Sequence, residues 1–214
     1  MNIFQLMGDM LHLASIIILL LKIQTSRSAA GISFKSQLLY AVVFCTRYQD
    51  LFFKFHSLYN TLMKVFFIAS AFLVLYLMKI QFKASWDPLL DTFRIEFLLG
   101  GAAVLALLVH YHGLDYFEIV WAFSIYLESV AILPQLFQLS RTGEAETITT
   151  HYLMALGGYR FFYILNWIYK YNTNPKFHDW IPILPGIIQT ALYLDFFYVY
   201  FTKVVRGQKF RLPA

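Results

Sequence analysis

The chain has 214 residues, of which 59% are hydrophobic, 19% are aromatic and only 14% are charged. Soluble domains contain about 45–50% apolar and about 25% charged residues. This composition therefore excludes an ordinary soluble domain, and it equally excludes a disordered chain. The single cysteine, Cys45, excludes an intramolecular disulfide framework. A polytopic membrane protein remains.

Apolar segments punctuated by short polar loops predict seven membrane spans in one domain, residues 1–214. A spanning helix needs about 20 residues, so seven of them leave no room for a separate soluble domain. The predicted spans are residues 3–23, 37–55, 57–79, 95–112, 116–139, 149–171 and 180–202.

The first span is expected to be a permanent anchor with its N-terminus outside the cytoplasm. It contains Asp9, and its first basic residues, Lys22 and Arg27, follow the apolar stretch. A signal peptide has the opposite order, with a basic region first. Seven spans then place the C-terminus in the cytoplasm, and most of the 17 lysines and arginines lie on that side. This distribution accounts for the net charge of +5, so we expect no nucleic-acid partner.

Two parts of the chain resemble each other. Residues 12–28 align with residues 126–142, and both segments end in Q-x-S-R. A shift of one residue then places Arg47 over Arg160. Two parallel three-helix repeats are the arrangement of SWEET-type folds, which are also called PQ-loop-like.

We therefore expect an all-α membrane fold with this internal symmetry. Its parts, in chain order, are repeat one at about 1–79, a linker helix at about 95–112, repeat two at about 116–202 and a cytoplasmic tail at 203–214.

Polar side chains within the spans are the candidate functional residues. A charge at the bilayer centre costs about 2.5–3.5 kcal/mol on insertion scales, so it usually faces a partner or a cavity. Helical spacing places several of these residues on common faces. These faces are Gln5, Asp9 and His12 on span 1, Arg47 and Asp50 on span 2, Glu118, Trp121 and Glu128 on span 5, and Tyr159, Tyr163, Asn166 and Lys170 on span 6.

A purely structural role is the alternative for these groups, and it suits a pair of Arg160 and Asp195 best. Lys54 and Lys64 are expected to extend towards a membrane interface. The sequence contains no motif typical of a hydrolase, a zinc site or a phosphate-binding loop. We therefore expect no enzyme activity, no metal and no cofactor.

Longer stretches of the chain resemble the KDEL receptor family. These stretches are MNIF at 1–4, AGIS at 30–33, SLYNT at 57–61, DTFR at 91–94, FSIYLESVAILPQLF at 123–137, TGEAETITTHY at 142–152, NWI at 166–168, QTALY at 189–193, DFFY at 195–198 and LPA at 212–214. Together they extend over nearly the whole chain.

The resemblance implies a receptor that binds C-terminal Lys-Asp-Glu-Leu or His-Asp-Glu-Leu tails of endoplasmic reticulum (ER) lumenal proteins in the Golgi. COPI vesicles would return the complex to the ER, and release would follow the rise in pH. The implied partners are these tails, the COPI coat and membrane lipid. The implied locations are the Golgi, the ER and COPI vesicles, with a lumenal N-terminus and a cytoplasmic C-terminus.

The resemblance also implies roles for individual residues. The peptide-binding residues would be Gln5, Arg47, Asp50, Glu118, Trp121, Tyr163, Asn166, Trp167, Lys170 and Asp179. The pH switch would be His12 with Glu128 and Tyr159, the transport residues Arg160 and Asp195, and the coat-recruiting residues Lys203, Arg206 and Lys209. The family has arginine where this chain has Gln5 and Lys170, which leaves the preference between the two tails open.

Two other functions remain as alternatives. A small-solute transporter of the same fold would need matched hinges in both repeats, but Pro134-Gln135 in span 5 aligns with Leu20-Leu21 in span 1. A G-protein-coupled receptor would need more coupling surface than these short cytoplasmic loops provide.

Overall fold

A computed structural model describes residues 2–111, 113, 115–142, 144–145, 147–174, 179–202 and 210–211. Its helices are α1 (Ile3–Ser26), α2 (Phe34–Arg47), α3 (Leu58–Tyr76), α4 (Ile95–Leu108), α5 (Tyr116–Val130), α6 (Leu133–Thr142), α7 (Thr147–Thr173), α8 (Trp180–Leu192) and α9 (Leu194–Thr202). Two-residue strands, β1 (Glu144–Ala145) and β2 (Phe210–Arg211), pair antiparallel. The predicted helical membrane fold is confirmed apart from this short pair.

Three helical segments are long and apolar enough to cross a membrane. They are Ile3–Ser26, Leu58–Gln81 and Tyr116–Thr142. The pair α8 and α9, which bends by 46° at the break between them, would make a fourth. These numbers refer to the residues described above, and the full set of seven spans stays a prediction.

Span 2 differs from its predicted extent of residues 37–55. Helix α2 ends at Arg47, and residues Gln49–Phe52 form a separate 3₁₀ turn. The expected helical face of Arg47 and Asp50 is therefore wrong, because Asp50 lies in this turn. The Asp50 carbonyl accepts from the backbone N–H groups of Phe53 and Lys54 at 3.0 and 2.8 Å. The helical part of span 2 thus ends at Arg47 and is followed by a 3₁₀ turn that contains Asp50.

Span 5 contains a break that span 1 lacks. Helix α5 ends at Val130, and α6 starts at Leu133 with Pro134 in its first turn. Proline is tolerated there because the N–H groups of a helix's first turn have no intrahelical acceptor. Helix α1 runs unbroken through Leu20 and Leu21. The sequence predicted a hinge at Pro134-Gln135 with no counterpart at Leu20-Leu21. The backbone agrees, because the helix is broken before Pro134 and continuous through Leu20 and Leu21.

The chain divides into two compact units, and each is described by itself. The first unit, residues 1–31 and 139–214, is built on the packing of α1 against α7. Glycines allow close contacts in this unit. A Cβ atom at Gly8 would lie 2.7 Å from the Tyr163 ring, and one at Gly186 would lie 2.5 Å from the Trp167 ring.

The second unit, residues 32–138, contains α2 to α5, with α2 packed on α3 and α5. A buried polar network fixes the start of α2. The Ser33 hydroxyl donates to the Asp91 carboxylate at 2.8 Å, and the Ser33 backbone N–H donates to Gln135 Oε1 at 2.8 Å. Asp91 also accepts from the Lys35 backbone N–H at 3.0 Å. The buried polar groups of Ser33, Asp91 and Gln135 are therefore paired with one another or with the start of α2.

We predict that Gly8→Ala destabilises the protein by about 1–3 kcal/mol, the usual cost of overpacking. The new methyl group would displace the Tyr163 ring, which α1 contacts directly. Thermal unfolding of the protein in detergent measures the change. Gly100→Ala is the matched control, because a Cβ atom at Gly100 meets nothing within 4 Å. Equal shifts for the two variants would contradict the predicted close packing.

Candidate functional site

The Arg47 cluster, made of Arg47, Ser124 and Glu128, is a charged site of the second unit. Arg47 Nη1 lies 2.5 Å from Glu128 Oε2, Nε donates to the Ser124 hydroxyl at 3.1 Å, and Nη2 donates to the Ser124 carbonyl at 3.0 Å. The Glu128 side chain is 1% exposed and that of Arg47 is 15% exposed. A guanidinium is thus already bound to a carboxylate in a mostly buried setting.

Local sequence explains how these three residues meet. Arg47 is the last residue of α2, so its long side chain extends from a helix end. Ser124 and Glu128 are four residues apart on α5 and therefore lie one turn apart on the same face. Two successive turns of one helix thus supply both the hydroxyl and the carboxylate to a single guanidinium.

The Asp50 cluster, made of Asp50, Lys64 and His56, is a second charged group in the same unit. Lys64 Nζ donates to Asp50 Oδ2 at 2.6 Å, and His56 Nε2 lies 3.5 Å from the same oxygen. Lys64 is 9% exposed. The expectation that Lys64 reaches an interface is therefore wrong, because its ammonium group turns inward to a carboxylate.

The remaining candidates of the second unit lie on α5. Glu118 is half-buried in the first turn, where a carboxylate is favoured by the helix dipole. The Trp121 ring lies 6.1 Å from the Tyr111 ring, measured between centroids. Glu118 and Trp121 share α5 with Glu128, as the spacing predicted.

The His12 cluster, made of His12, Tyr159, Arg160 and Gln189, belongs to the first unit. The His12 ring, 8% exposed, stacks on the Tyr159 ring with 4.1 Å between centroids and 7° between planes. The Tyr159 hydroxyl accepts from Arg160 Nη2 at 2.9 Å and from Gln189 Nε2 at 3.4 Å. A titratable ring from α1 therefore lies against a tyrosine that carries a guanidinium on its hydroxyl.

The other first-unit candidates continue along α7. The Tyr163 hydroxyl donates to Asp9 Oδ1 at 2.5 Å, and Asn166 Oδ1 accepts from Asn2 Nδ2 at 2.9 Å. Trp167 is buried against Gly186, and Lys170 is half-buried in the last turn. The predicted stripe on span 6 is therefore one continuous helical face.

Comparison with known proteins gives one consistent result. The model of the ER lumen protein retaining receptor family matches residues 28–170. The ER lumen protein-retaining receptor of Drosophila melanogaster is 58% identical, and receptor 2 of Gallus gallus and of Homo sapiens are 59% and 58% identical, each over the full length of both chains. The chain belongs to the ER lumen protein-retaining receptor family.

Some residues that the family resemblance assigns to the site lie apart from these clusters. Asp179 is exposed and precedes α8, while Gln5 is half-buried in the first turn of α1. Asp195 is exposed in the first turn of α9. Lys203, Arg206 and Lys209 lie outside the described residues.

Sequence reasoning missed several side chains that contact predicted site residues. Among them are Asn2, Ser124, Gln189, Lys64 and His56. Ser124 had a detectable signal, because it lies four residues before Glu128 on an amphipathic helix. Asn2, Gln189 and Lys64 contact residues 164, 30 and 14 positions away in the sequence, and spacing within one helix does not reveal such pairs.

We predict that Glu128→Ala destabilises the receptor by about 3–5 kcal/mol, since it leaves a buried guanidinium without this carboxylate. Glu128→Gln should cost less, because the amide oxygen can still accept from Arg47. Thermal unfolding in detergent measures both. Glu96→Ala, at an exposed carboxylate in the same unit, is the control and should cost at most about 1 kcal/mol. The prediction fails if Glu128→Ala and Glu96→Ala behave alike.

Proposed function

We propose that this chain is a pH-dependent receptor for the C-terminal retrieval tails of ER lumenal proteins. It would bind them in the Golgi and return them to the ER in COPI vesicles, as a seven-span protein with a lumenal N-terminus. The observation that carries the proposal is the bond between the Arg47 guanidinium and a carboxylate. The full-length relatives support it, because they are named as ER lumen protein-retaining receptors.

The tail's terminal carboxylate is proposed to bind Arg47. A guanidinium has five N–H donors arranged in a fork that suits carboxylates. The described contacts of Arg47 engage Nε and one donor each on Nη1 and Nη2. A second carboxylate can therefore bind beside Glu128 or replace it. Exchange of one carboxylate for another avoids leaving the buried cation unpaired at any stage.

The tail's first residue, lysine or histidine, is proposed to bind Asp50, Glu118 and Trp121. Asp50 already binds a lysine ammonium group, that of Lys64, at 2.6 Å. A ligand cation would share this carboxylate with Lys64, and Glu118 would add a second negative charge. Trp121 could add a cation–π contact of about 0.5–2 kcal/mol.

The acidic middle of the tail is proposed to bind Lys170, with Gln5, Tyr163, Asn166, Trp167 and Asp179 completing the peptide site. Lys170 presents a single ammonium group where the family has a two-pronged arginine. Gln5 offers a hydrogen bond without a charge. We therefore expect weaker capture of the two tail carboxylates at these positions than an arginine pair would give.

The pH response is proposed to originate at His12. Protonated His12 would lie beside Tyr159, whose hydroxyl binds the Arg160 guanidinium. The same hydroxyl accepts from Gln189 of α8, and Asp9 lies one turn from His12 on α1. Two nearby cations disfavour each other, so an anionic tail relieves the cost of charging His12. Bound cargo therefore favours protonation, and by linkage acid tightens binding. Glu128 would couple the two events, since it can leave Arg47 when the tail arrives.

We predict that tail peptides bind more tightly at about pH 5.5 than at about pH 7.4, since the ordinary histidine pKa is about 6.5. A single coupled proton changes affinity by at most about tenfold per pH unit. Isothermal titration with Lys-Asp-Glu-Leu and His-Asp-Glu-Leu peptides measures this, and His12→Gln should remove most of the slope.

Two controls test whether His12 and Arg47 are the groups responsible for the pH slope and for carboxylate binding. His110→Gln should keep the slope, because His110 Nδ1 bonds the Ala106 carbonyl on α4 and His110 belongs to none of the three clusters. An amidated tail should bind far more weakly at both pH values, since it lacks the carboxylate for Arg47. An unchanged slope in His12→Gln would remove His12 from the switch, and full affinity for the amidated tail would remove Arg47 from carboxylate binding.

We further predict that two variants bind cargo but fail to return it. Asp195→Asn changes an exposed residue at the start of α9, after the break at Tyr193. Replacing Lys203 and Lys209 with alanine removes the ammonium groups proposed to recruit COPI. Both variants should keep peptide affinity within a few fold and stay in the Golgi on cargo loading. Cycling by the double variant would show that its lysines, with Arg206, serve only membrane topology.

A further inference from the structure

An apolar groove of about 660 Å³ lies in the first unit, and none of its described lining residues belongs to the His12 cluster. It is bounded by α1, α7, α8 and α9 and is lined mainly by aliphatic and aromatic side chains. The described lining residues include no lysine, arginine, aspartate or glutamate. Its volume falls within the usual range for small-molecule sites, about 300–1,000 Å³.

One end of the groove is polar. His151 Nδ1 lies 2.8 Å from the Tyr200 hydroxyl, and the two rings meet edge to face with 5.8 Å between centroids. Whichever imidazole tautomer forms this bond, the pair retains one donor and one acceptor. The other polar lining residue, Thr190, donates its hydroxyl to the Gly186 carbonyl at 2.9 Å. A ligand can therefore place one hydroxyl group at His151 and Tyr200.

Small residues of α7 line part of the groove, which runs along this helix. Ala155 and Gly158 are buried and small, and a Cβ atom at Gly158 would make only an ordinary contact with Leu11 at 3.5 Å. From His151 to Phe162 the helix rises by about 16 Å. This is about half of the hydrocarbon core, which is about 30 Å thick. The groove thus has the length of a lipid that occupies one leaflet.

We propose that this groove binds a membrane sterol, with its hydroxyl on His151 and Tyr200 and its ring system on Ala155 and Gly158. A phospholipid would bring a charged phosphate, for which the described lining supplies no cation. Its flexible chains would also lose more conformational freedom on binding than a rigid ring system does. The proposal goes beyond tail recognition, since it depends only on the membrane class of the chain.

The experiment uses the full-length receptor in phospholipid vesicles that contain a photoreactive sterol analogue. We expect saturable labelling of α7 and α9, located by mass spectrometry of the peptides. Unlabelled cholesterol should compete, whereas phosphatidylcholine should not. Epicholesterol, which differs only in the configuration of its hydroxyl, should compete several-fold less well because its hydroxyl is directed away from His151 and Tyr200. Competition by phosphatidylcholine, or equal competition by the two epimers, would overturn the proposal.

Variants test the same site from the protein side. Gly158→Leu fills this part of the groove and should reduce sterol labelling by at least about tenfold, which corresponds to about 1.4 kcal/mol. His151→Phe keeps the volume but removes the polar pair, and it should reduce labelling several-fold. Gly100→Leu, in open space on α4, is the control and should label like the unchanged protein. Since His151→Phe alters only an exposed side chain, it keeps the test valid if Gly158→Leu fails to fold. Unchanged labelling in His151→Phe would exclude the proposed hydroxyl contact.

Discussion

The ion pair between the mostly buried Arg47 guanidinium and the buried Glu128 carboxylate holds the site of the second unit together. Removing one partner of such a pair costs more than most single contacts contribute. Helix α2 ends at Arg47, and α5 presents Ser124 and Glu128 on one face. Because Ser124 occupies Nε and one donor of Nη2, the guanidinium plane is fixed. A ligand carboxylate would meet a cation that is already oriented.

In the first unit, a buried guanidinium contacts a tyrosine side chain. Its buried arginine, Arg160, donates to a tyrosine hydroxyl at 2.9 Å, and its guanidinium carbon lies 4.9 Å from the centre of the same ring. The face of a tyrosine ring attracts cations, and the His12 ring stacks on that tyrosine. Tyr159 therefore contacts both a permanent cation and a titratable group. The state of His12 and the position of Arg160 are linked through one aromatic side chain, which makes Tyr159 the physical centre of the proposed pH response.

Sequence reasoning predicted the helical faces well where a face lies within one unbroken helix. Gln5, Asp9 and His12 share α1, and Tyr159 to Lys170 share α7, because a period of 3.6 residues leaves little freedom. It was wrong where a helix ended early, as at Asp50, since the end of α2 depends on the polar turn after Arg47. It was also wrong for Lys64, because hydropathy cannot distinguish an ammonium group that reaches an interface from one that reaches a buried carboxylate. The resemblance to the family was confirmed over the full chain, while the roles of individual residues stay predictions.

Under the proposed function, tail preference depends on the surroundings of one carboxylate, Asp50. Asp50 Oδ2 is shared by Lys64 at 2.6 Å and His56 at 3.5 Å. Lys64 is buried and His56 is exposed, so a ligand cation would displace His56 more readily than Lys64. A ligand lysine carries its full charge at both neutral and mildly acidic pH, whereas a ligand histidine becomes charged as the pH falls. The share of the Asp50 charge that Lys64 leaves for the ligand would therefore decide how strongly the first residue of each tail binds.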